Sequence, residues 1–542
     1  MSDAEKAPSR SLVEVTDLTV EFGDLRAVDR LSFRLERGAA LALVGESGSG
    51  KSTVASALLG LHRGTGARVG GAIDVAGVDV QEASEETLRR LRGAKAAMVF
   101  QDPLSSLDPY YAIGDQIAEV HRVHTRASRR AARARAVEVL DRVGIPDAVR
   151  RSRARPHEFS GGMRQRALIA MALACEPDLL IADEPTTALD VTVQAQILDL
   201  LHTLREETRM GLLLVTHDVG VAAESVDEVL VMRHGRAVEH GPVSAVLGSP
   251  AQPYTRELLG AVPRVDAARG SSEVPEKPAE VVLEATGLRR EFGRGKRAFT
   301  AVDDVSLTIR RGETLGIVGE SGSGKTTLGR MLVGLLEPTA GEVRYDGHAR
   351  VGVNPAVQMV FQDPVSSLNP RRSVGESIAD PLRARGERDE GRIRGRVREL
   401  LERVGLEAAH YDRYPHEFSG GQRQRGGIAR ALAADPRVIV CDEPVSALDV
   451  TTQAQVVALL GELQRELGLA LVFVAHDLAV VRQVSDRVAV MRRGRIVEEG
   501  PADEVYDSPQ DPYTKQLLAA VPALDPRIAT QRRAARRELA AV

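Results

Sequence analysis

The sequence contains only two cysteines, Cys175 and Cys441, and has no long uninterrupted hydrophobic run. Two cysteines cannot build a disulfide framework or a cysteine-rich metal cluster. The longest apolar stretch, residues 467–481, is interrupted by His476 and Asp477, so we predict no membrane-spanning helix. Residues 1–10 are polar and lack the apolar core of a signal peptide. These absences favour a cytosolic chain that contacts a membrane only through a partner.

An excess of basic charge is absent as well. The formal net charge is -4 over 542 residues, whereas dedicated nucleic-acid binders usually carry a strong basic excess. The hydrophobic fraction of 43% and the charged fraction of 27% are typical of globular proteins. A chain of this length is too long for one core and suits a few domains.

One glycine-rich pattern is present twice, at residues 45–52 and 319–326. Both copies fit G-x-x-x-x-G-K-[ST] and lie between an apolar strand candidate and a helical run. Glycine lets successive N–H groups point at phosphate oxygens, and the following helix adds the positive end of its dipole. We therefore predict two phosphate loops. Their nucleotide-contacting residues are Gly45, Glu46, Ser47, Gly48, Ser49, Gly50, Lys51, Ser52 and Thr53, and Gly319, Glu320, Ser321, Gly322, Ser323, Gly324, Lys325, Thr326 and Thr327.

Four of these side chains have specific expected roles. Lys51 and Lys325 are expected to reach the β and γ phosphates of a nucleotide. Ser52 and Thr326 are expected to offer a hydroxyl to Mg2+.

The repeat extends over a whole domain. Lys325 lies 274 positions after Lys51 and Gln362 lies 261 after Gln101, so the first copy has 13 extra residues between these landmarks. We place that extra length in a surface loop around residues 62–92. Further along, the offset is constant at 259, as for Tyr254 and Tyr513. Constant spacing over this distance predicts the same fold twice.

Within each copy, short apolar runs alternate with helical patterns, which predicts an α/β fold. The runs suit buried parallel strands, and a helical region is predicted after Gln101 and after Gln362. The predicted strands are residues 179–182, 212–216, 438–441 and 471–475.

Two acidic pairs end buried strands. Asp183 and Asp442 are expected to hold Mg2+, through water. Glu184 and Glu443 stand one residue further along, where a carboxylate can polarise an attacking water.

Four more polar residues recur at equivalent positions. His217 and His476 follow the next buried strand and are predicted to contact the γ-phosphate and to fix the attacking water. Gln101 and Gln362 lie between a strand and the helical region. Each of these glutamines is predicted to contact both Mg2+ and whatever the helical region binds.

A Ser-Gly-Gly sequence precedes a helix in each copy, and we call residues 159–166 and 418–425 the signature segments. Backbone N–H groups at a helix N-terminus form an anion site. One phosphate loop needs no second anion site in its own domain, so we predict that each signature segment serves the nucleotide of the other domain. The contacting residues are Ser160, Gly161 and Gly162, and Ser419, Gly420, Gly421 and Gln422.

These motifs, in this order and twice, resemble a pair of ABC-type nucleotide-binding domains fused in one chain. An Ala-Leu-Asp sequence that begins at Ala188 and at Ala447 adds to the resemblance. It implies two P-loop NTPase domains, each with a β-subdomain and a helical subdomain, that bind ATP and Mg2+ head to tail. It also implies an aromatic that stacks on adenine, Phe22 in the first copy and either Phe292 or Phe299 in the second, with Phe292 preferred.

The head-to-tail arrangement implies two composite sites. Site one combines Lys51, Ser52, Gln101, Asp183, Glu184 and His217 with Ser419, Gly420 and Gly421. Site two combines Lys325, Thr326, Gln362, Asp442, Glu443 and His476 with Ser160, Gly161 and Gly162. Met163 stands where the signature segment usually has glutamine, which bears on site two. Because the serine and glycines are intact, both sites are expected to hydrolyse ATP.

Three further stretches resemble the peptide and nickel importer branch of this family. They are Phe-Gln-Asp-Pro with Ser-Ser-Leu at residues 100–109 and 361–370, Pro-His-Glu-Phe at 156–159 and 415–418, and Pro-Tyr-Thr endings at 253–263 and 512–522. Many relatives have a group of cysteines in this ending that binds an iron-sulfur cluster. No iron-sulfur cluster is expected in this chain. The implied partners are two permease subunits and an extracytoplasmic solute-binding protein, with no nucleic acid, at the cytoplasmic face of the membrane.

The cargo stays open among dipeptides, longer peptides, glutathione-like compounds and nickel complexes. Three other interpretations are weaker. The sequence has neither the long charged helical linker that is usual in twin cassettes acting on ribosomes nor the cysteine-rich zinc modules that a DNA-repair ATPase needs. The intact Asp-Glu and His motifs speak against a scaffold without enzymatic activity.

The predicted domains are residues 11–263, with an importer-type extension at about 241–263, and 281–522, with the same extension at about 500–522. Residues 264–280 have linker composition. The basic tail at 523–542 is expected to be a frayed, solvated end rather than a helix.

Overall fold

The computed structural model describes residues 11–187, 189–266, 280–293, 298–349, 351–363, 368–446 and 448–541. Residues 1–10, most of the predicted linker, part of the second Phe-Gln-Asp-Pro stretch, Ala188 and Ala447 lie outside the described residues. Contacts divide the chain into two units. Unit 1 comprises Met1–Leu189, Val193–Ala261 and Pro522–Val542, and unit 2 comprises Asp190–Thr192 and Val262–Val521.

The described residues of unit 1 form two sheets. Its strands are β1 (Ser11–Phe22), β2 (Leu25–Glu36), β3 (Ala40–Val44), β4 (Arg68–Val75), β5 (Val78–Asp79), β6 (Ala96–Val99), β7 (Leu179–Asp183), β8 (Gly211–Thr216), β9 (Glu228–Arg233) and β10 (Arg236–Pro242). The first sheet is antiparallel with the order β2-β1-β4-β5, and it forms the predicted β-subdomain.

The second sheet of unit 1 has the order β10-β9-β3-β8-β7-β6 and is parallel except for β10. Every residue of β3, β7 and β8 is buried, which explains why these strands are continuous apolar runs without alternation. The predicted strands at 179–182 and 212–216 are therefore confirmed.

Helices cover this sheet and form the predicted helical subdomain. The helices are α1 (Lys51–Leu58), α2 (Glu85–Leu91), α3 (Pro103–Ser106), α4 (Ile113–Thr125), α5 (Arg129–Arg142), α6 (Ala148–Arg151), α7 (Gly161–Leu173), α8 (Val191–Thr208), α9 (Val219–Ser225), α10 (Val243–Gly248) and α11 (Pro253–Ala261). The helical subdomain comprises α3 to α6, between Gln101 and the signature segment. Buried Ala136, Val139 and Leu140 lie on one face of α5, as the helical periodicity predicts.

Unit 2 repeats this architecture. Its strands are β11 (Val281–Phe292), β12 (Phe299–Arg310), β13 (Thr314–Val318), β14 (Ala340–Tyr345), β15 (His348–Ala349), β16 (Val357–Val360), β17 (Val438–Asp442), β18 (Ala470–Val474), β19 (Arg487–Arg492) and β20 (Arg495–Pro501). The sheet orders are β12-β11-β14-β15 and β16-β17-β18-β13-β19-β20. The described helices are α12 (Lys325–Leu332), α13 (Val374–Ala384), α14 (Glu390–Arg403), α15 (Gly420–Ala433), α16 (Val450–Leu467), α17 (Leu478–Val484), α18 (Ala502–Asp507) and α19 (Pro512–Ala519).

The 13 extra residues of the first copy are not a surface loop, so that prediction was wrong. The region contains β4 and the helix α2, whose Leu88 and Leu91 are buried in the core of unit 1. Ser84 caps the helix by accepting the N–H of Thr87 at 3.2 Å, a signal that is visible in the sequence. Between β15 and β16, the described residues of unit 2 form no helix.

The basic tail was also predicted wrongly. It forms a helix, α20 (Pro526–Ala541), that belongs to unit 1 and packs on α9. The Arg536 guanidinium lies 2.9 Å from Asp199 of α8 and 3.6 Å from the carboxylate of Glu224 in α9, while Arg533 donates to the carbonyl of Glu224. Ordering the tail therefore depends on acidic partners more than 300 positions earlier in the chain, which local sequence patterns do not reveal.

Among the described helices, none combines the length and hydrophobicity that crossing a bilayer requires.

The buried carboxyl group of Glu224 generates a prediction about pH. Burial raises its pKa from the ordinary 4.5 to about 7, even though Arg536, Arg533 and Arg532 oppose the shift and Asp199 adds to it. Because the folded pKa exceeds the unfolded one, the contribution of Glu224 to stability is present below pH 4.5 and is lost as pH rises to 7. Relative to the Glu224→Gln variant, the free energy of unfolding of the native chain should fall by up to about 3 kcal/mol across this pH window.

Urea unfolding of both chains from pH 4.5 to 7.5 measures this difference. Glu119→Gln, at an exposed position on α4, is the matched control and should give a curve parallel to that of the native chain. If the curve of Glu224→Gln were also parallel to that of the native chain, the raised pKa of Glu224 would be contradicted.

Candidate functional site

The first phosphate loop connects β3 to α1. Gly50 precedes α1 with φ at 97°, and a Cβ at this position would lie 2.4 Å from the carbonyl oxygen of Ala27, so only glycine fits. Lys51 begins the helix and is buried, and its Nζ donates to the carbonyl oxygens of Gly45 and Glu46 at 2.8 Å each. The loop is thus closed around its own lysine.

The second loop, between β13 and α12, has the same geometry. Gly324 has φ at 106°, and a Cβ would lie 2.3 Å from the carbonyl oxygen of Ala301. Lys325 Nζ donates to the carbonyl oxygens of Gly319 at 2.7 Å and Glu320 at 2.8 Å. Burial lowers the pKa of this lysine, although neighbouring carboxylates oppose the shift.

Each loop brings a hydroxyl to the carboxylate that ends a strand two places away in the sheet, β7 in unit 1 and β17 in unit 2. Ser52 Oγ donates to Asp183 Oδ1 at 3.0 Å, and Thr326 Oγ1 donates to Asp442 Oδ1 at 3.0 Å. Burial raises the pKa of both carboxyl groups, which the hydroxyl hydrogen bonds oppose. A hydroxyl beside a carboxylate is a set of oxygen donors that fits Mg2+.

Glu184 is held from several directions. Its backbone has φ at 47°, a left-handed conformation that non-glycine residues rarely adopt and that is enriched at functional sites. Its carboxylate accepts from Gln101 Nε2 at 2.7 Å and from Thr187 Oγ1 at 2.9 Å, and it lies 3.0 Å from His217 Nδ1. Burial opposes ionisation, but the hydrogen bond and charge of His217 outweigh it, so the pKa of Glu184 is lowered.

Glu443 repeats most of this arrangement in unit 2, with φ at 46°. Gln362 Nε2 donates to its carboxylate at 2.7 Å, and His476 Nδ1 lies 3.3 Å away. Burial opposes ionisation here too, and His476 outweighs it, so the pKa of Glu443 is lowered. Ser446, at the position of Thr187, donates instead to the backbone carbonyl of Glu443 at 3.2 Å.

The two histidines have the complementary shift. Burial opposes protonation of His217 and His476, but the adjacent glutamates outweigh it, so both pKa values are raised. Each Glu-His pair is therefore stabilised as a carboxylate with an imidazolium.

Both signature segments begin helices as predicted. Ser160 caps α7 by accepting the N–H of Met163 at 3.3 Å, and Ser419 caps α15 by accepting the N–H of Gln422 at 3.2 Å. Only the second helix has a full capping box, because Gln422 Oε1 also accepts the N–H of Ser419 at 3.0 Å. Met163 has no such acceptor, so the departure seen in the sequence removes one hydrogen bond.

The aromatic candidates lie at the ends of the β-subdomain strands. Phe22, at the end of β1, is 38% exposed and meets His62 edge to face with ring centroids 5.4 Å apart. Phe292 stacks on Phe299 at 5.6 Å, and the Arg290 guanidinium lies 4.9 Å above the Phe292 ring. Their role in binding adenine stays a prediction.

Two residues in these sites were missed by sequence reasoning. Thr187 contacts the carboxylate of Glu184, and Tyr513 accepts the backbone N–H of Glu320 at 3.0 Å through its hydroxyl. Thr187 carries only a weak local signal, a hydroxyl three residues after the acidic pair. Tyr513 belongs to the repeated Pro-Tyr-Thr sequence, which marks the position without indicating its contact.

Cys441 is buried at the end of β17 and Cys175 is half-buried after α7. Within the described ranges, no group of three or more His, Cys, Asp or Glu side chains is arranged to hold a metal ion.

The duplicated α/β cores, each with a phosphate loop, a strand ending in Asp-Glu, a glutamine and a histidine, define a tandem ATP-binding cassette protein. Comparison with known families agrees. Residues 28–187 and 302–446 match the family model described as ABC transporter. Residues 238–287 and 497–541 match the model described as oligopeptide/dipeptide transporter, C-terminal region.

Similar curated proteins extend over nearly the whole chain. The glutathione import ATP-binding protein GsiA of Salmonella choleraesuis (strain SC-B67) is 47% identical, with 97% of this chain and 92% of that protein covered. The protein of the same name from Pectobacterium atrosepticum is 46% identical, with 96% and 91% covered. Among solved structures, a dimeric post-hydrolysis state of the ATP-binding cassette MJ0796 with ADP and Pi is 32% identical. It covers 41% of this chain and 98% of its own, with a TM-score of 0.38.

The chain therefore belongs to the ABC transporter family, as a fused pair of ATP-binding cassettes of the oligopeptide/dipeptide/nickel importer branch, and it is an ATPase.

Proposed function

We propose that each phosphate loop binds ATP with Mg2+ and that the residues around it position the γ-phosphate for attack by water. On nucleotide binding, Lys51 and Lys325 would donate to the β and γ phosphates instead of to the loop carbonyl oxygens. Asp183 and Asp442, with the hydroxyls of Ser52 and Thr326, would hold the metal ion, and Gln101 and Gln362 would contact it as well. Bound Mg2+ would neutralise charge on the phosphates.

Glu184 and Glu443 would orient and polarise the attacking water. The observation that supports this role most directly is that three side chains, Gln101, Thr187 and His217, contact the Glu184 carboxylate. The left-handed backbone of Glu184 adds to it. A carboxylate with a lowered pKa stays ionised near neutral pH, as an acceptor for a water proton must. His217 and His476 would contact the γ-phosphate and fix the attacking water.

Separate replacement of the two glutamates tests whether both sites hydrolyse ATP. Glu184→Gln and Glu443→Gln keep the size of the side chain and remove its charge. Each single variant should lose at least half of the steady-state ATPase rate of the native chain, measured by phosphate release, because a positioned acid-base group contributes about a hundredfold or more at its own site. An unchanged rate in either variant would refute the proposal for that site.

We propose further that each ATP site is completed by the signature segment of the other cassette. Ser160 and Ser419 are exposed at the N-termini of α7 and α15, where the backbone N–H groups of the first helical turn and the helix dipole favour an anion. Each cassette already has a phosphate loop of its own. A second anion site therefore serves a purpose if it contacts the nucleotide held by the other cassette.

Placing an arginine in one signature segment tests this pairing. In a chain in which Glu443→Gln silences the second site, single-turnover ATP hydrolysis reports the site that contains Lys51. Ser419→Arg should abolish that hydrolysis, whereas the matched variant Ser160→Arg should leave most of it. The reverse result would show that each signature segment serves its own cassette.

We propose that the ATPase energises a binding-protein-dependent importer for peptides or related solutes, with a glutathione-like compound as a candidate cargo. The support is the importer-type C-terminal region in both cassettes and the full-length similarity to glutathione import ATP-binding proteins. The partners would be two permease subunits and an extracytoplasmic solute-binding protein, which place the chain at the cytoplasmic face of the membrane. Nickel complexes are the second candidate cargo, because the same branch includes nickel importers.

Co-purification tests the importer role. The tagged chain, isolated from membranes of its native cell in mild detergent, should recover two polytopic membrane proteins in equal amounts. In vesicles that contain this complex, the cognate binding protein loaded with glutathione or with dipeptides should stimulate ATP hydrolysis several-fold over the unloaded protein. Recovery with ribosomes instead would refute the importer role, and stimulation by a nickel complex alone would reassign the cargo.

A further inference from the structure

The C-terminal extension of the second cassette reaches the phosphate loop. Tyr513 is the second residue of α19 and is only 2% exposed. Its hydroxyl accepts the backbone N–H of Glu320, the second residue of the loop, at 3.0 Å although the two residues are 193 positions apart. A side chain outside the phosphate-loop, signature, Asp-Glu and histidine motifs thus contacts the phosphate loop directly.

This hydrogen bond and the bond from Lys325 act on the same peptide unit. The carbonyl oxygen of Gly319 and the N–H of Glu320 belong to one planar amide. Lys325 Nζ holds the oxygen of that amide at 2.7 Å, and the hydroxyl of Tyr513 holds its N–H. The orientation of the plane at the entrance to the loop is therefore set from both ends.

We expect ATP binding to affect these two hydrogen bonds differently. Lys325 is expected to turn from the loop carbonyls towards the phosphates, which removes the hold on the oxygen. We expect the hydroxyl of Tyr513, which is not a predicted phosphate ligand, to stay on the N–H. It is then the side chain that keeps the amide plane in place while the lysine contacts the nucleotide.

Tyr513 is itself held firmly. Asp511 caps α19 by accepting the N–H of Tyr513 at 2.7 Å, and the Arg492 guanidinium at the end of β19 lies 4.6 Å above the tyrosine ring. The carboxylate of Glu498 in β20 accepts the N–H groups of Gln510 at 2.7 Å and Asp511 at 3.1 Å. Burial raises the pKa of Tyr513 to about 12, so the hydroxyl is uncharged at neutral pH.

We propose that Tyr513 is a positioning residue for ATP binding at the second phosphate loop, and that it maintains the amide between Gly319 and Glu320 in its nucleotide-ready orientation. The inference rests on the role proposed above for Lys325. It gives the importer-type extension a direct part in the ATPase site. A rigid loop binds nucleotide better because less conformational freedom is lost on binding.

The framework recurs in the first cassette. Tyr254, at the equivalent position, is buried, and the Arg233 guanidinium lies 4.5 Å above its ring. Glu239 accepts the N–H groups of Ala251 at 2.8 Å and Gln252 at 3.2 Å, as Glu498 does in the second cassette. The arginine above the tyrosine ring and the glutamate at the helix N-terminus are therefore present in both cassettes.

The test uses the full chain with Lys51→Ala, so that ATP binding reports the second loop. Tyr513→Phe deletes one hydroxyl and keeps the ring against Arg492. Two effects are expected. The amides of residues 319–326 should exchange with solvent at least fivefold faster without nucleotide, and the Kd for ATP should rise about fivefold, as the loss of one hydrogen bond implies.

Tyr506→Phe is the matched control. Tyr506 is a buried tyrosine of the same extension, its hydroxyl donates to the carbonyl of Leu478 at 2.6 Å, and Arg482 lies above its ring, but it does not contact the phosphate loop. It should lower the unfolding midpoint by a similar amount and leave loop exchange and ATP affinity within twofold. Equal effects of the two tyrosine variants on the loop would overturn the inference, because they would indicate general destabilisation.

A second variant keeps the test decisive if Tyr513→Phe folds poorly. Arg492 is exposed, and Arg492→Ala removes the contact above the ring without deleting the hydroxyl. It should shift loop exchange and Kd in the same direction, by about twofold. No shift of loop exchange and of Kd in this variant would overturn the inference.

Lys325→Ala in the same background separates the two levels of the proposal. If it leaves ATP binding intact, the assigned role of Lys325 is wrong and the proposed site fails. If it abolishes binding while Tyr513→Phe changes neither exchange nor affinity, the site stands and only the inference about Tyr513 fails.

Discussion

The burial of parallel strands on both faces is the constraint on which the rest of each cassette depends. Every residue of β3, β7 and β8 is buried, so polar groups are tolerated only where these strands end. The carboxyl ends of parallel strands meet at one edge of the sheet, and there Lys51, Asp183 and His217 follow three adjacent strands. The chemistry of the site is collected at this edge because the apolar core excludes it elsewhere.

The two cassettes share this core but differ in the side chains that support it. The helix α2 adds Leu88 and Leu91 to the first core, and the described residues of unit 2 have no counterpart. Thr187 contacts the Glu184 carboxylate, whereas Ser446 donates to the backbone carbonyl of Glu443. In both cassettes the acidic pair and the histidine nevertheless stand at the ends of equivalent strands, which place them at the same edge of the sheet.

The C-terminal segments connect the importer-type endings to the ATPase machinery. Tyr513 contacts the second phosphate loop, and α20 packs on α9, which begins two residues after His217. Both contacts place a polar group in a buried environment, where an unmatched partner is costly. They make the second ending, which matches the importer-type family description, part of the structure around the phosphate loop of unit 2 and around α9 of unit 1.

The sequence alone determined the duplicated α/β fold, the buried parallel strands that precede the acidic pairs and the histidines, and the helices that begin at the signature segments, because periodicity, capping and glycine requirements are local properties. The site residues it proposes lie where those local elements end, and their roles stay predictions. The prediction of a surface loop at residues 62–92 was wrong because it rested on the residue offset between the copies, which shows extra length but not the structure of that length. The helix-capping signal in this region is Ser84. Only the tertiary structure decided the contacts of Thr187 and Tyr513 and the docking of α20 on Glu224. Those contacts join elements that are distant in sequence or depend on the exact direction of a side chain, and neither property leaves a local pattern.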